Sequence, residues 1–396
     1  MNGMLKRKIN SFLTLLLICT AAGAQDIYTP VLQTVEANSN ILKSYEAGRD
    51  ASIAMSRTGL APSDPEVSGG YLFGNPQKGN RKDIAIRQEF DFPSVYADRN
   101  KLSETERKSA TYLYQMQRQQ VLLEAKCLCN SMIYYNALEK VCRKRLNAAE
   151  RIYNSYEQML SQGTAGALEY NKAAAAYASA KLDYDTHIAE RDRISAELSR
   201  LSGGENVSFD YDEFPEVVIP ADFEGWWYSV SENHPALLYA GSESLHGEQQ
   251  VRLAGSSALP KLSVGYMGEF VPGEPFQGVT AGISIPLWEN KGKVKAARAS
   301  AAAAKAAELE TRASCENHFR ALYARANALQ SSVGIYTEAL LSSSSDDLLL
   351  KAYDSGEISL LTYIQESNYI YSAQEQRLDA LLDLADTVAE LMSVTL

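Results

Sequence analysis

The feature that most limits the possible folds is a run of 69 residues, 94–162, that contains neither glycine nor proline. As a single α-helix this run would be roughly 100 Å long. Glycines at 163 and 166 follow it, and a second run without breakers, 167–202, comes next. Because helices in globular domains average about 11–12 residues, the pattern predicts long antiparallel helical hairpins that reverse at glycine.

The chain is a tandem duplication of a unit of about 195 residues. Pro65 recurs as Pro260 at an offset of 195, and Gly163 recurs as Gly356 at an offset of 193. The predicted divisions are a signal peptide (1–24), a first repeat (25–203), a linker (204–223) and a second repeat (224–396). Helices are expected at about 29–58, 94–162, 167–202, 224–256, 287–355 and 357–394.

Each unit also contains a predicted β-hairpin, because apolar and polar residues alternate with a period of two. The four expected strands lie at about 66–73, 83–92, 261–270 and 278–286. The same alternation is typical of a soluble sandwich and of a membrane barrel. Four strands cannot close a barrel, and lipid does not tolerate an open sheet edge. If the strands cross a membrane, several copies of the chain must therefore combine their strands.

The first 24 residues are predicted to be a secretory signal peptide. A basic segment at 6–8 precedes a short apolar stretch at 12–18, and small residues at 22–24 provide the cleavage site. Lipidation of Cys19 is the alternative, although Ile18 is bulky for a lipobox. The cysteines that follow are predicted to be small buried hydrophobic residues; they are Cys127, Cys129, Cys142 and Cys315.

Composition and motifs argue against several classes of function. The net charge of −11 does not suit a nucleic-acid binder, which needs a basic surface. Five cysteines and four dispersed histidines predict neither a disulfide scaffold nor a metal site, and no P-loop, HExxH or GxSxG motif indicates an enzyme. A coiled-coil spacer remains an alternative, but it leaves the strands and the duplication unexplained.

Two segments of the second repeat resemble the TolC-like outer-membrane efflux proteins. Residues 282–288 (GISIPLW) and 291–294 (KGKV), followed by an alanine-rich helix, are similar to that family's strand-to-helix junction. Residues 352–359 (AYDSGEIS) look like its helix-turn-helix tip. The resemblance implies a mainly α fold with a small β part, in which a homotrimer builds an α-helical barrel topped by a twelve-stranded transmembrane β-barrel.

The same resemblance implies a location and partners. The channel would sit in outer-membrane lipid with a long periplasmic extension, and a periplasmic adaptor and an inner-membrane pump of the RND or ABC type would supply its substrate. It implies no enzyme activity, no cofactor, no metal site and no nucleic acid. Small toxic compounds or metal ions are the expected cargo. A type I secretion outlet and a helical structural protein of the periplasm are the alternatives.

The resemblance also assigns residues by position. Tyr353 matches the family's gating tyrosine and Glu169 an acidic residue of the other hairpin, whereas the two aspartates of the constriction ring fall at Thr362 and Gln365. Asp354 and Glu366 are candidates to replace those aspartates and to give the closed mouth a preference for cations. The expected adaptor contacts are Gly163, Gly166, Leu168, Gly356, Ser359 and Leu361, and the expected strand-to-helix junctions are Pro93 and Pro286.

Overall fold

The computed structural model describes residues 26–76, 79–288, 290–341 and 345–396, so the expected signal peptide and Cys19 lie outside the described residues. The first repeat contains α1 (Thr29–Asn38), α2 (Asn40–Ser56), β1 (Glu66–Leu72), β2 (Arg81–Phe90), α3 (Pro93–Ser161) and α4 (Ala167–Leu201). The second contains α5 (Phe223–Ser231), α6 (Pro235–Ser256), β3 (Lys261–Val271), β4 (Glu274–Ser284), α7 (Lys293–Leu341), α8 (Ser345–Asp354), α9 (Leu360–Leu391) and a short 3-10 helix (Ser393–Thr395).

Helix α3 dominates the molecule. It is one continuous helix of 69 residues, as the breaker-free run predicts, and it is roughly 100 Å long. Pro93 is its first residue, a position where the missing N–H has no helical partner to lose. Helix α4 returns antiparallel to it after Gly163. Within the described ranges no helix is both long and apolar enough to cross a membrane.

The prediction of one helix from 287 to 355 is wrong at its start. Residues 287 and 288 form bends and residues 290–292 form a turn, in which the Lys291 N–H donates to the Trp288 carbonyl oxygen at 3.1 Å. Gly292 has φ +85°, a left-handed conformation that glycine adopts without strain. Helix α7 therefore begins only at Lys293. Residues 342–344, between α7 and α8, lie outside the described residues.

The opening helical stretch of each repeat is divided in two at equivalent places. Ser39, with ψ 120°, separates α1 from α2. Residues 232–234 separate α5 from α6, where the Ala236 N–H donates to Nδ1 of the capping residue His234 at 3.2 Å. Ser39 and His234 are 195 residues apart, so the breaks follow the duplication.

The four strands form one antiparallel sheet in the order β1-β2-β3-β4. Strands β2 and β3 pair from Lys82 opposite Phe270 to Phe90 opposite Leu262, so the central pairing joins the two repeats. Strands β1 and β4 form the two edges. Strand β4 begins four residues before the predicted position, because a tight turn at Gly273 (φ +90°) brings Glu274 opposite Val271.

Each repeat has its own buried core beside the long helices. The first contains Val35, Ile133 and Leu201 from α1, α3 and α4, and the second is centred on aromatic residues of α5 and α7. The linker packs into the first core through Phe209, which is 2% exposed. The Asn136 side chain donates to the carbonyl oxygens of Phe209 and Tyr211 at 3.1 and 2.9 Å, so the linker is held along its path.

A buried polar chain connects three distant segments. The Tyr28 hydroxyl donates to Asn130 Oδ1 at 2.6 Å, and Asn130 Nδ2 donates to Asp386 Oδ1 at 2.8 Å. Burial raises the pKa of the Asp386 carboxyl above its usual value. These contacts tie the start of α1 to α3 and α9.

The cysteines agree in part with their prediction. Cys129 and Cys142 are buried, whereas Cys127 and Cys315 are half-buried, and all four are free thiols. Burial raises the pKa of the Cys129 thiol to about 12, so this thiol stays protonated and unreactive at neutral pH.

Substituting Gly265 is expected to weaken the central pairing. A Cβ there would lie 2.5 Å from the Ile86 carbonyl oxygen and 3.0 Å from Thr280 Oγ1. Gly265→Val should therefore lower the free energy of unfolding by about 1–3 kcal/mol, measured by urea denaturation in detergent. Gly278 alternates onto the same face, but an added Cβ there meets nothing within 4 Å. Equal destabilisation by Gly278→Val would contradict this explanation.

Candidate functional site

One face of the sheet is apolar and open to its surroundings. Strand register and the two-residue alternation place its side chains together. Each of the large apolar side chains on this face is at least 37% exposed; they are Val67, Tyr71, Ile84, Ile86, Phe90, Leu262, Val264, Tyr266, Phe270, Val279 and Ile283. An apolar surface of this continuity marks a site of contact with lipid or protein. We call it the apolar face.

The opposite face of the sheet carries most of its charged side chains. Arg81 Nε lies 2.9 Å from Asp83 Oδ1, and Arg81 Nη1 lies 3.1 Å from Glu269 Oε1 on the neighbouring strand. Lys261 Nζ lies 3.3 Å from Glu89 Oε1, again between β3 and β2. The sheet therefore separates an apolar side from a charged side, which is the arrangement of a membrane wall that faces water within.

The two strand-to-helix junctions differ. Pro93 begins α3 directly after Phe92. Pro286 is instead followed by bends at 287 and 288 and a turn at 290–292, so it lies between β4 and α7 but α7 does not begin there. Leu287 and Trp288 in this segment are 67% and 80% exposed. An exposed tryptophan ring just beyond the end of a strand is typical of the boundary between lipid and water.

The tips of the two helical hairpins have the same geometry. Gly163 and Gly356 have φ values of +69° and +77°. In each tip the residue after the glycine donates its N–H to the carbonyl oxygen five residues earlier, at 2.9 Å in both. This is the Schellman arrangement, in which glycine ends a helix at little cost. The return helices begin after Gly166 and Ser359, and the Ser359 hydroxyl accepts the Thr362 N–H at 3.1 Å.

A groove between the tips brings together some of the expected gate residues. Glu169 from α4, Tyr353 and Asp354 from α8 and Leu361 from α9 line it. We call it the tip groove. Thr362, Gln365 and Glu366 are exposed on α9 and are not among the residues that line it. Leu168 and Leu361 are 63% and 47% exposed, so both tips present a leucine to their surroundings.

An ion pair joins the two repeats beside the tip groove. Arg151 Nη2 lies 2.9 Å from each carboxylate oxygen of Asp354, which links α3 of the first repeat to α8 of the second. No sequence pattern singles out Arg151, because its partner is 203 residues away. Within the described ranges no group of three or more His, Cys, Asp or Glu side chains is arranged to hold a metal ion.

Tyrosines surround the groove on both hairpins. The Tyr353 ring centre lies 5.2 Å from that of Tyr363, and burial together with a hydrogen bond to Tyr156 raises the pKa of Tyr353. On the first hairpin the Tyr153 and Tyr170 hydroxyls are 3.3 Å apart. That contact and the nearby Glu157 raise the pKa of Tyr153 to about 12. The phenols of Tyr353 and Tyr153 therefore stay neutral over the physiological range.

Removing the Arg151–Asp354 pair is expected to loosen α8 without unfolding the protein. Both side chains are about half exposed, and such pairs contribute about 0–1 kcal/mol. Arg151→Ala should therefore keep overall stability and increase amide hydrogen exchange in α8. Lys181→Ala is the matched control, because Lys181 pairs with Asp185 within α4 alone. Unchanged exchange in α8 would show that the pair does not hold this helix.

No family model matches the chain, and no curated protein matches it by sequence. Solved structures do match over nearly its whole length. The outer membrane channel CmeC of Campylobacter jejuni is 18% identical, with 93% of this chain and 85% of that chain covered at a TM-score of 0.75. The outer membrane protein VceC of Vibrio cholerae is 13% identical, with 93% and 94% covered at 0.73. The open-state MtrE outer membrane channel of Neisseria gonorrhoeae is 16% identical, with 93% and 88% covered at 0.65. The resemblance to TolC-like proteins is thereby confirmed at the level of structure: this chain has the fold of the bacterial outer-membrane channels.

Proposed function

We propose that the protein is the outer-membrane channel of a tripartite efflux system. Three copies pool their strands into a twelve-stranded barrel, and their long helices form a tunnel in the periplasm. The observation that carries the proposal is the four-stranded sheet, with its exposed apolar face, its charged opposite face and its edges at β1 and β4. Such a sheet is stable in lipid only when further strands close it.

The long helices support a role as a duct. Helix α3 runs without interruption from the sheet to the tip groove, a distance of roughly 100 Å. The duct itself is passive, and an inner-membrane pump of the RND or ABC type supplies the energy. A periplasmic adaptor contacts the hairpin tips, where glycines 163, 166 and 356 and Ser359 shape the turns. The exposed Leu168 and Leu361 provide apolar contacts for it.

Acidic residues near the tips give the closed mouth a preference for cations. Glu169 lines the tip groove, and Glu366 is exposed on α9. Asp354 contributes less, because Arg151 offsets its charge. The cargo is small toxic compounds or metal ions. Testing a deletion strain for sensitivity to metal ions, bile salts and dyes would identify the cargo. A deletion strain that fails only to secrete a protein would indicate a type I outlet.

The membrane assignment predicts a trimer in the outer membrane. Fractionation should place the protein there, and unheated gel samples should migrate as a trimer that boiling converts to the monomer. Purified trimers should form channels in planar bilayers, because the closed barrel encloses water. Recovery as a soluble or peripheral monomer would contradict the proposal and favour a helical structural protein.

The acidic mouth predicts a change in ion selectivity. Glu169→Ala and Glu366→Ala should each shift the reversal potential of single channels toward lower cation preference, since each removes three negative charges from the trimer. Glu205→Ala is the control, because Glu205 is an exposed acid in the linker. If neither tip variant differs from the control, these carboxylates do not set the selectivity.

A further inference from the structure

Helices α3 and α6 form a seam between the two repeats within one chain. Strand β2 leads into α3, and α6 leads into β3, so this helix pair continues the β2–β3 pairing. His246 Nε2 lies 3.4 Å from Glu106 Oε1, and the Ser109 hydroxyl donates to the Glu243 carboxylate. We call this contact the internal seam. The two helices run antiparallel, because Ser109 follows Glu106 on α3 whereas its partner Glu243 precedes His246 on α6.

The duplication defines a counterpart of the internal seam. Strand β4 leads toward α7 as β2 leads to α3, and α2 leads toward β1 as α6 leads to β3. The counterpart is thus α7 against α2. The offset of 193 residues between α3 and α7 is supported by packing, since the buried Cys129 and Ile133 correspond to the buried Leu322 and Ala326. In the described part of one chain, α7 packs mainly on α6 and α9, and α2 packs on α3.

The surface of α7 shows what the missing helix would cover. Four residues of α3 around the internal seam are buried: Leu102, Ser103, Thr105 and Ser109. Their counterparts on α7 are all exposed in the single chain: Lys295, Ala296, Arg298 and Ala302. This face of the helix is therefore buried in the first repeat and exposed in the second.

At the counterpart positions both helices carry small residues. Each polar residue of the internal seam has a small counterpart. Glu106 and Ser109 on α3 correspond to Ala299 and Ala302 on α7. His246 and Glu243 on α6 correspond to Ala51 and Gly48 on α2. All four counterparts are exposed. A Cβ added to Gly48 meets nothing within 4 Å, so no atom of the described part of the chain occupies the space beside it. At these four positions the small residues on both helices allow the two backbones to approach closely.

We propose that α2 of a second copy packs antiparallel on α7, with its Gly48 and Ala51 against Ala302 and Ala299. This intermolecular seam is continuous with the strand edges, because α7 follows β4 and α2 precedes β1. It repeats between copies the arrangement that the internal seam makes within a copy. The inference rests on the proposed trimer and adds to it which helices meet, in which direction and at which residues.

A cysteine pair tests the register. Gly48→Cys combined with Ala302→Cys should give disulfide-linked trimers on non-reducing gels, because each copy supplies one cysteine to each neighbour. The control pairs Gly48→Cys with Ser300→Cys. Ser300 corresponds to Arg107, which the internal seam leaves exposed. Since a disulfide requires close and specific Cβ geometry, the first pair should cross-link with about tenfold higher yield than the control.

Bulky substitutions test the close approach. Gly48→Leu and Ala302→Leu should lower the temperature at which the trimer dissociates on gels, whereas Ser300→Leu should not. The open space around Gly48 lets the isolated chain accept leucine. If the wild-type chain is trimeric but the cysteine pair fails to cross-link above control and the leucine variants dissociate normally, the seam is wrong and the channel proposal stands. A monomeric wild-type chain would overturn both.

Discussion

The backbone hydrogen bonds at the edges of the sheet are the constraint on which the rest of the structure depends. Strands β1 and β4 each pair on one side within the chain, and the sheet carries an exposed apolar face. In lipid an unsatisfied backbone group costs several kcal/mol. Side chains cannot supply hydrogen bonds to all the N–H and C=O groups along a strand edge. Closure by further copies satisfies these groups, and it fixes how the helices that continue from the strands must be arranged.

In the proposed trimer the duplication lets one structural unit contribute to that closure six times. The two repeats reproduce each other in their helix breaks, hairpin tips and cores, although their sequences have diverged. One difference between the repeats lies where they meet different neighbours. Polar side chains meet between α3 and α6, whereas alanine and glycine occupy the corresponding surfaces of α7 and α2. A contact inside one chain and a contact between copies can thus have one geometry and different chemistry.

Much of the fold could be predicted because it depends on local rules. The absence of glycine and proline predicted α3 to within one residue at each end, and the glycines at 163 and 356 predicted the tips. The start of α7 was mispredicted because Gly292 is isolated, and a single glycine does not by itself end a helical pattern. The start of β4 was mispredicted because the glycine- and proline-rich segment after Val271 resembles a longer turn than the one that forms.

The candidate site was harder to predict, because it is assembled from segments far apart in the chain. Glu169, Tyr353 and Asp354 lie around one groove, and their role as gate residues stays a prediction. Gln365 and Glu366 lie outside it. No local sequence pattern marks Arg151, because it is singled out only by its contact with the second repeat.

The buried chain from Tyr28 through Asn130 to Asp386 has a consequence for how the protein folds. Asn130 and Asp386 are 256 residues apart, so the first helices cannot complete their packing until α9 has emerged. Contacts of such long range slow folding and prolong the exposure of apolar surface. The first helices should therefore reach their native packing only after the end of the chain is available.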